Sequence, residues 1–308
     1  FLEDTDRPLP KVLNPNTRYM FLSTIAKGGK SMINAVKDIH LSRVVVYKTL
    51  RKEFVDDDIE RTRLLREARV SAMLQHPNTV PTYEIGRDNH GNYYFTMKLV
   101  HGYTLREVMD YRERYDLTQL IEVIEPIAQA LAYAHTHGVA HRDIKPENIL
   151  IGPYGEVVLM DWGLAKVWSK DGGSVDESAH EEKQLADSDK SITGHGKAQG
   201  TLCYMSPEQL RRDPDISFST DIYSFGSVLF EVLTGRPPFD GEKVYEITDA
   251  VQQDEPPRPS DISKYPVPKS LETLCLKCLS KDPTARPQSM KEIILALNQD
   301  WFSELLPR

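Results

Sequence analysis

His141-Arg142-Asp143-Ile144-Lys145-Pro146-Glu147-Asn148, followed after a strand-like run by Asp161-Trp162-Gly163, is where the reading of this chain starts. Two carboxylates, an amide and a lysine at this spacing suit phosphoryl transfer from a nucleoside triphosphate held with divalent metal. That reaction needs a group to accept the attacking hydroxyl's proton, oxygens to hold the metal, and positive charge around the moving phosphoryl group. Asp143 suits the first task, Asn148 and Asp161 the second, and Lys145 the third.

On the N-terminal side of this run the chain is strand-like. Between Arg18 and Leu50 apolar and polar residues alternate around a glycine pair, which predicts hairpin-linked strands. Val44-Val45-Val46-Tyr47 is continuous and β-branched, as in a buried strand. Asp57 to Leu74 reads as a charged amphipathic helix, and two further strands are expected at about 80–86 and 92–100. From Thr104 the period becomes helical. Leu120, Ile124, Ile127, Leu131 and Ala134 fall on one face of a helix over 117–136. Later helices are expected over about 205–212, 219–235, 242–253, 270–280 and 288–296. A sheet-rich part therefore precedes a helix-rich one, joined near Val100-His101-Gly102. Clefts between two such lobes are common ligand sites. Residues 168–200 are polar and acidic without a period, and so long a loop in a compact domain is usually functional or disordered.

These motifs resemble the eukaryotic-type protein kinase family, with its H-R-D catalytic loop and D-F-G metal loop. The resemblance runs from about Tyr19 to about Leu297. Lys145-Pro146-Glu147-Asn148 is similar to the serine/threonine branch, and Tyr204-Met205-Ser206-Pro207-Glu208-Gln209 and Asp161-Trp162-Gly163-Leu164-Ala165 to its bacterial members. The resemblance implies an α+β, two-lobed protein-kinase fold: a small antiparallel-sheet N-lobe with one main helix (16–100) and a larger helical C-lobe (101–297). Residues 1–15 are then a flank, 161–208 the activation segment, and 298–308 a C-terminal tail.

It also implies roles for individual residues. Lys48, ending a valine strand, would face ATP phosphates and be positioned by Glu67. Asp143, Lys145 and Asn148 would complete the catalytic set, with Asn148 and Asp161 holding two Mg2+ ions, or Mn2+ in their place. Ile25, Gly28, Gly29 and Ile33 would form the glycine-rich loop over the nucleotide, although Ala26 and Ser31 replace its first and third glycines. The surviving glycines would supply unusual backbone angles and close approach. Met97 would guard the adenine pocket, and the backbone of Lys98 and Val100 would bond the base. His141 would pack beneath the metal loop. Trp162 stands where the family has phenylalanine, and its indole N–H calls for a partner. Arg142 would bind a phosphorylated hydroxyl of the activation segment, with Thr193 and Ser191 as the acceptors. Thr201 would bond Asp143 and Lys145. Glu208 would pair with Arg286, and Asp221 would accept backbone N–H groups of the catalytic loop.

Composition sets outer limits. The 308 residues suffice for one large domain or two modest ones, and 40% hydrophobic with 27% charged content is ordinary for a globular chain. A net charge of −8 argues against general nucleic-acid binding. No apolar run approaches the roughly 20 residues that span a bilayer, so no membrane contact is expected of this segment. Cys203, Cys275 and Cys278 make no disulfide framework and suit a reducing compartment. Cys275 and Cys278, and likewise His135, His137 and His141, read as packing groups before metal ligands.

The expected function is a serine/threonine protein kinase using Mg-ATP, acting on protein hydroxyls and on itself, with a homodimer as a further partner. The expected setting is cytoplasmic, free or as the cytoplasmic domain of a larger membrane-anchored protein. A pseudokinase or nucleotide-gated scaffold, suggested by Ala26 and Ser31, is the alternative. A small-molecule phosphotransferase of related fold is a third reading, opposed by Ser206-Pro207-Glu208, Asp221 and Arg286.

Overall fold

In the computed structural model, which describes residues 17–168 and 197–305, the alternating stretch after Arg18 folds into three antiparallel strands: β1 (Tyr19–Lys27), β2 (Ser31–Asp38) and β3 (Arg43–Leu50). Helix α1 (Asp58–Met73) follows, then β4 (Thr82–Arg87) and β5 (Tyr93–Lys98). The sheet order is β1-β2-β3-β5-β4. Asp57 begins α1 as its N-cap, its carboxylate accepting the Ile59 and Glu60 amides at 2.9 and 3.2 Å. Leu64 and Ala68 of α1 meet Leu50 and Phe95 of the sheet in one buried cluster, with Met97 packed at its edge. Glu67 lies in the same buried stripe of the helix. It therefore faces the sheet, where a carboxylate needs a cation.

The described chain divides into two compact units, one holding 17–75 and 80–101, the other 76–79 and the described residues from 102 onward. Residues 76–79 belong with the second unit because Asn78 donates to the Val157 carbonyl at 2.7 Å and accepts from the Leu159 amide at 2.8 Å.

That second unit contains β6 (Tyr103–Thr104), β8 (Ile149–Ile151) and β9 (Val157–Leu159) as one small sheet, and β7 (Val139–Ala140) paired with β10 (Lys166–Val167). Its helices are α2 (Leu105–Met109), α3 (Leu117–Thr136), α4 (Lys197–Leu202), α5 (Pro207–Leu210), α6 (Ser219–Thr234), α7 (Val244–Gln253), α8 (Pro259–Ile262), α9 (Lys269–Cys278) and α10 (Met290–Leu297). The face of α3 read from the sequence is fully buried, and the helix starts at a capping box between Asp116 and Gln119. Helix α6 is buried on every side from Thr220 to Leu233, as a helix in the middle of a helical core must be. It approaches α9 closely at Gly226, where an added Cβ would lie 2.5 Å from the Cβ of Cys278. Cys275 and Cys278 are buried thiols, and burial pushes Cys278 up to about 12. They pack rather than react.

Candidate active site

The strand–helix unit supplies one part. Lys48 on β3 and Glu67 on α1 are both buried, and the ammonium bonds the two carboxylate oxygens at 2.6 and 2.7 Å. A pair this close in a dry setting fixes both side chains, and removing either would strand a buried charge.

The glycine hairpin between β1 and β2 is tight, with the Gly28 amide bonded to the Ser31 carbonyl at 2.9 Å. One expectation is corrected here. Neither Gly28 nor Gly29 has a positive φ, so the loop does not use glycine's left-handed freedom. Gly28 is needed for space, since a Cβ would meet the Ser31 hydroxyl at 2.9 Å, whereas Gly29 has open space around it. Ala26 has no left-handed backbone either and sits without strain. Ile25 is exposed, Ile33 half-buried in β2, and Met97 and Val100 half-buried. The Lys98 amide donates to the Pro81 carbonyl at 3.0 Å, so a bond from this residue to a base would have to use its carbonyl.

The second unit supplies the loop from His141 to Asn148. Asp221, fully buried at the start of α6, accepts the His141 and Arg142 amides at 2.8 Å each and approaches His135 Nε2 at 2.9 Å. Burial pushes its carboxyl up, but His135, His141 and the Arg142 amide outweigh that and hold it below the usual range. Arg142 has φ +69°, left-handed for a non-glycine residue. Such backbone costs on the order of 1–2 kcal/mol. It is held by Asp221 on the amide side and by Gln209, which donates to its carbonyl at 2.7 Å. His141 donates from Nε2 to the Met160 carbonyl at 2.9 Å and accepts the Asp143 amide at Nδ1. Its ring meets Trp162 edge-on at 4.5 Å.

Asp143 is then surrounded by donors. Lys145 Nζ bonds both its oxygens at 2.8 Å and the Thr201 hydroxyl at 3.2 Å. Asn148 Nδ2 donates to the Asp143 carbonyl at 2.7 Å and carboxylate at 2.9 Å. Burial pushes the Asp143 carboxyl above its ordinary range; Lys145 opposes the shift and Asp161 adds to it. Asp161 is exposed and also left-handed, with φ +63°. With both Asn148 donor hydrogens turned to Asp143, its amide oxygen and the Asp161 carboxylate are hard oxygen donors. Among the described residues no group of three or more His, Cys, Asp or Glu side chains gathers to hold a metal. That sparse oxygen set fits Mg2+, which keeps several waters and phosphate oxygens as ligands, better than a metal needing a full protein cage.

Glu208 and Arg286 form a bidentate buried pair at 2.6 and 2.9 Å. The expected partner for the Trp162 indole is absent: Nε1 is buried with no acceptor among the described residues. Ser191 and Thr193 lie outside the described residues. One cluster had no sequence signal. Arg106, Glu147, Tyr204 and Glu231 form a bonded network across separations of up to 125 residues, which no short motif could announce.

An α+β chain of two units with this loop and this ion pair has the features of the protein kinase fold. The protein kinase domain model matches residues 19–302, and the chain belongs to that family. It is 34% identical over 92% of its length to the serine/threonine-protein kinase PknD of Protochlamydia amoebophila, covering 30% of that protein. It is 35% identical over 90% to PrkC of Bacillus subtilis, covering 39%, and 31% identical over 94% to PknD of Mycobacterium tuberculosis, covering 40%. The chain thus spans 30–40% of these relatives' lengths.

Proposed function

We propose that this chain transfers the γ-phosphoryl group of ATP to serine or threonine hydroxyls of proteins. The observation that carries it is the bonded chain Asn148–Asp143–Lys145–Thr201, with links of 2.9, 2.8 and 3.2 Å. Asp143 accepts the substrate hydroxyl's proton as the oxygen–phosphorus bond forms and ADP leaves. A positioned base of this kind contributes roughly 10²–10⁴-fold. Lys145 neutralises charge beside it and bridges to Thr201, which shapes the acceptor's path. Lys48, braced by Glu67, holds ATP phosphate oxygens. Asn148 and Asp161 would hold Mg2+, or Mn2+, whose charge neutralises the β- and γ-phosphates when bound. The glycine hairpin at Gly28 and Gly29, with Ile25, Ile33, Met97 and Val100, would enclose the nucleotide.

Arg142 would receive a phosphorylated Ser191 or Thr193, making self-phosphorylation a control and a second copy of the chain a partner. Among the described residues no helix is long and apolar enough to cross a membrane. We place the domain in the cytoplasm, free or as part of a larger anchored protein.

The test is incubation with labelled ATP and Mg2+, beside an Asp143→Asn variant, with phosphosites mapped by mass spectrometry. Label on the native protein and on casein, lost in the variant, is expected. Equal labelling of both proteins, or none, overturns the reading. Absence of phosphate from 167–199 sinks the self-control proposal alone.

A further inference from the structure

The buried stripe of α1 carries two carboxylates, Glu60 and Glu67, 5% and 6% exposed. They are two helical turns apart on one face, about 10 Å along the axis. Glu67 holds Lys48 of β3. Glu60 holds Lys30, from the turn between β1 and β2, its Oε1 accepting Nζ at 2.6 Å. The same oxygen accepts the Arg63 guanidinium, one turn along α1, at 2.9 Å. The Lys30 ammonium also lies 5.9 Å from the centre of the Phe54 ring, which packs against the cluster of Leu50, Leu64, Ala68 and Phe95. The turn itself is fastened to the end of β3. Arg51 donates its amide to the Lys30 carbonyl at 2.8 Å and its guanidinium to the Gly29 carbonyl at 3.1 Å. Two lysines therefore tie α1 to the sheet, one from β3 and one from the hairpin tip. In G-x-G-x-x-G, Lys30 falls on a position the pattern leaves open, so the motif does not call for this tie.

We propose that Lys30 is a positioning residue for the nucleotide: through Glu60 it holds the hairpin against α1, so that the loop meets the ATP phosphates already ordered. The proposal rests on the kinase reading above. Ordering a free hairpin at the moment of binding costs affinity, and a tie made beforehand removes that cost. The hairpin needs it because Ala26 and Ser31 stand where two glycines would let the backbone settle around phosphate. The tie also links the loop to the helix that carries Glu67, so hairpin and Lys48 share one support. With the Lys30 side chain 26% exposed and Glu60 buried, the pair is partly dry, and salt screens it less than a surface pair.

The experiment compares wild type, Lys30→Met, Glu60→Gln, the double variant and Lys30→Arg, by titration with Mg-ATP and by steady-state kinetics on casein. Lys30→Met leaves Glu60 bonded to Arg63, and Glu60→Gln keeps an oxygen for Arg63, so neither strands a buried carboxylate. Expected is a rise in Kd and KM for ATP of about 3–5-fold in each single variant, with kcat within about twofold. That factor corresponds to up to about 1 kcal/mol, the range of a partly exposed ion pair. The double variant should be no worse than either single one, because both remove the same link. Lys30→Arg, which still reaches Glu60, should recover most of the loss. Without nucleotide, hydrogen exchange of the amides at 28–31 and 59–61 should quicken together in Lys30→Met. Unchanged Kd in the single variants, or unaltered exchange in the two segments, would overturn the proposal. So would losses that add in the double variant, as for a lysine that touches phosphate directly. Wild type that binds ATP without transferring phosphate would defeat the kinase reading alone, and Kd and exchange would still decide the role of Lys30. Wild type that binds no ATP defeats both.

Discussion

Trp162 shows how much one side chain can cost while filling its place well. Its ring is 1% exposed and packs on His141, so the apolar gap is occupied, yet its Nε1 hydrogen has no acceptor among the described residues. A buried unsatisfied donor costs about 1–3 kcal/mol. Phenylalanine would lose some packing area but carries no orphan donor. Trp162→Phe is therefore expected to leave stability unchanged or raise it by about 1 kcal/mol, the donor's relief offsetting the lost contact. Urea unfolding followed by circular dichroism measures this. A loss of more than about 2 kcal/mol would show that packing, or a water on the indole, outweighs the orphan. The left-handed backbone at Arg142 and Asp161 belongs to the same scale. Both residues sit where the site needs a sharp change of direction, and strain of this kind concentrates at functional positions.

Elements with a long period were readable from sequence, and short ones were not. The helix expected over 117–136 is α3, and that expected over Asp57–Leu74 is α1, with Asp57 outside it as the cap. Both have several turns of pattern to average over. By contrast β6, β7 and β10 are two residues each, too short for alternation to mean anything, and exist because their partners are already in place. Helix α4 begins inside what read as a continuous loop, since Lys197–Leu202 is only six residues with Gly200 in it. In the site, Lys48, Glu67 and the Asp143 cluster were legible because motif spacing encodes them. The Arg106 network was not, because its bonds span 41, 98 and 125 residues.

Helix contact gives the prediction at this scale. Gly226 of α6 faces Cys278 of α9 with room for no Cβ, and the obstructing atom is itself a Cβ. Gly226→Ala must push the two helices apart, and overpacking of this kind costs typically about 1–3 kcal/mol. Trimming the sulfur with Cys278→Ala should not rescue it, because the clash is one carbon nearer the backbone. Thermal unfolding of the single and double variants decides the matter. Rescue by Cys278→Ala would mean that the thiol, not the Cβ, sets the helix separation.

At the scale of the whole chain, the residues proposed for ATP are divided over both compact units, with Lys48 and Glu67 in one and Asn148 and Asp161 in the other. A ligand that binds the folded chain alone stabilises it by RT ln(1 + [L]/Kd), about 2.7 kcal/mol at a hundredfold excess over Kd. Mg2+ with ATP is thus expected to raise the unfolding temperature of the chain. Lys48→Met and Asp161→Asn, altered in different units, should each shrink the rise measured from that variant's own ligand-free transition. Asp161 is exposed, and Asp161→Asn keeps an oxygen that can accept the Gly163 amide, bonded at 3.4 Å. Lys48→Met does strand Glu67, and Lys48→Met with Glu67→Leu corrects for that by removing the buried pair together. The metal dependence carries the argument further. Because the oxygen set is too sparse to bind the ion alone, Mg2+ without ATP should shift nothing, and ATP with chelator should shift less than the pair. A full shift from ATP with chelator would remove Asn148 and Asp161 from the metal role. No shift under any condition would leave a kinase-family chain that does not bind its nucleotide, with the hairpin carrying Ala26 and Ser31 in place of glycines as the first place to look.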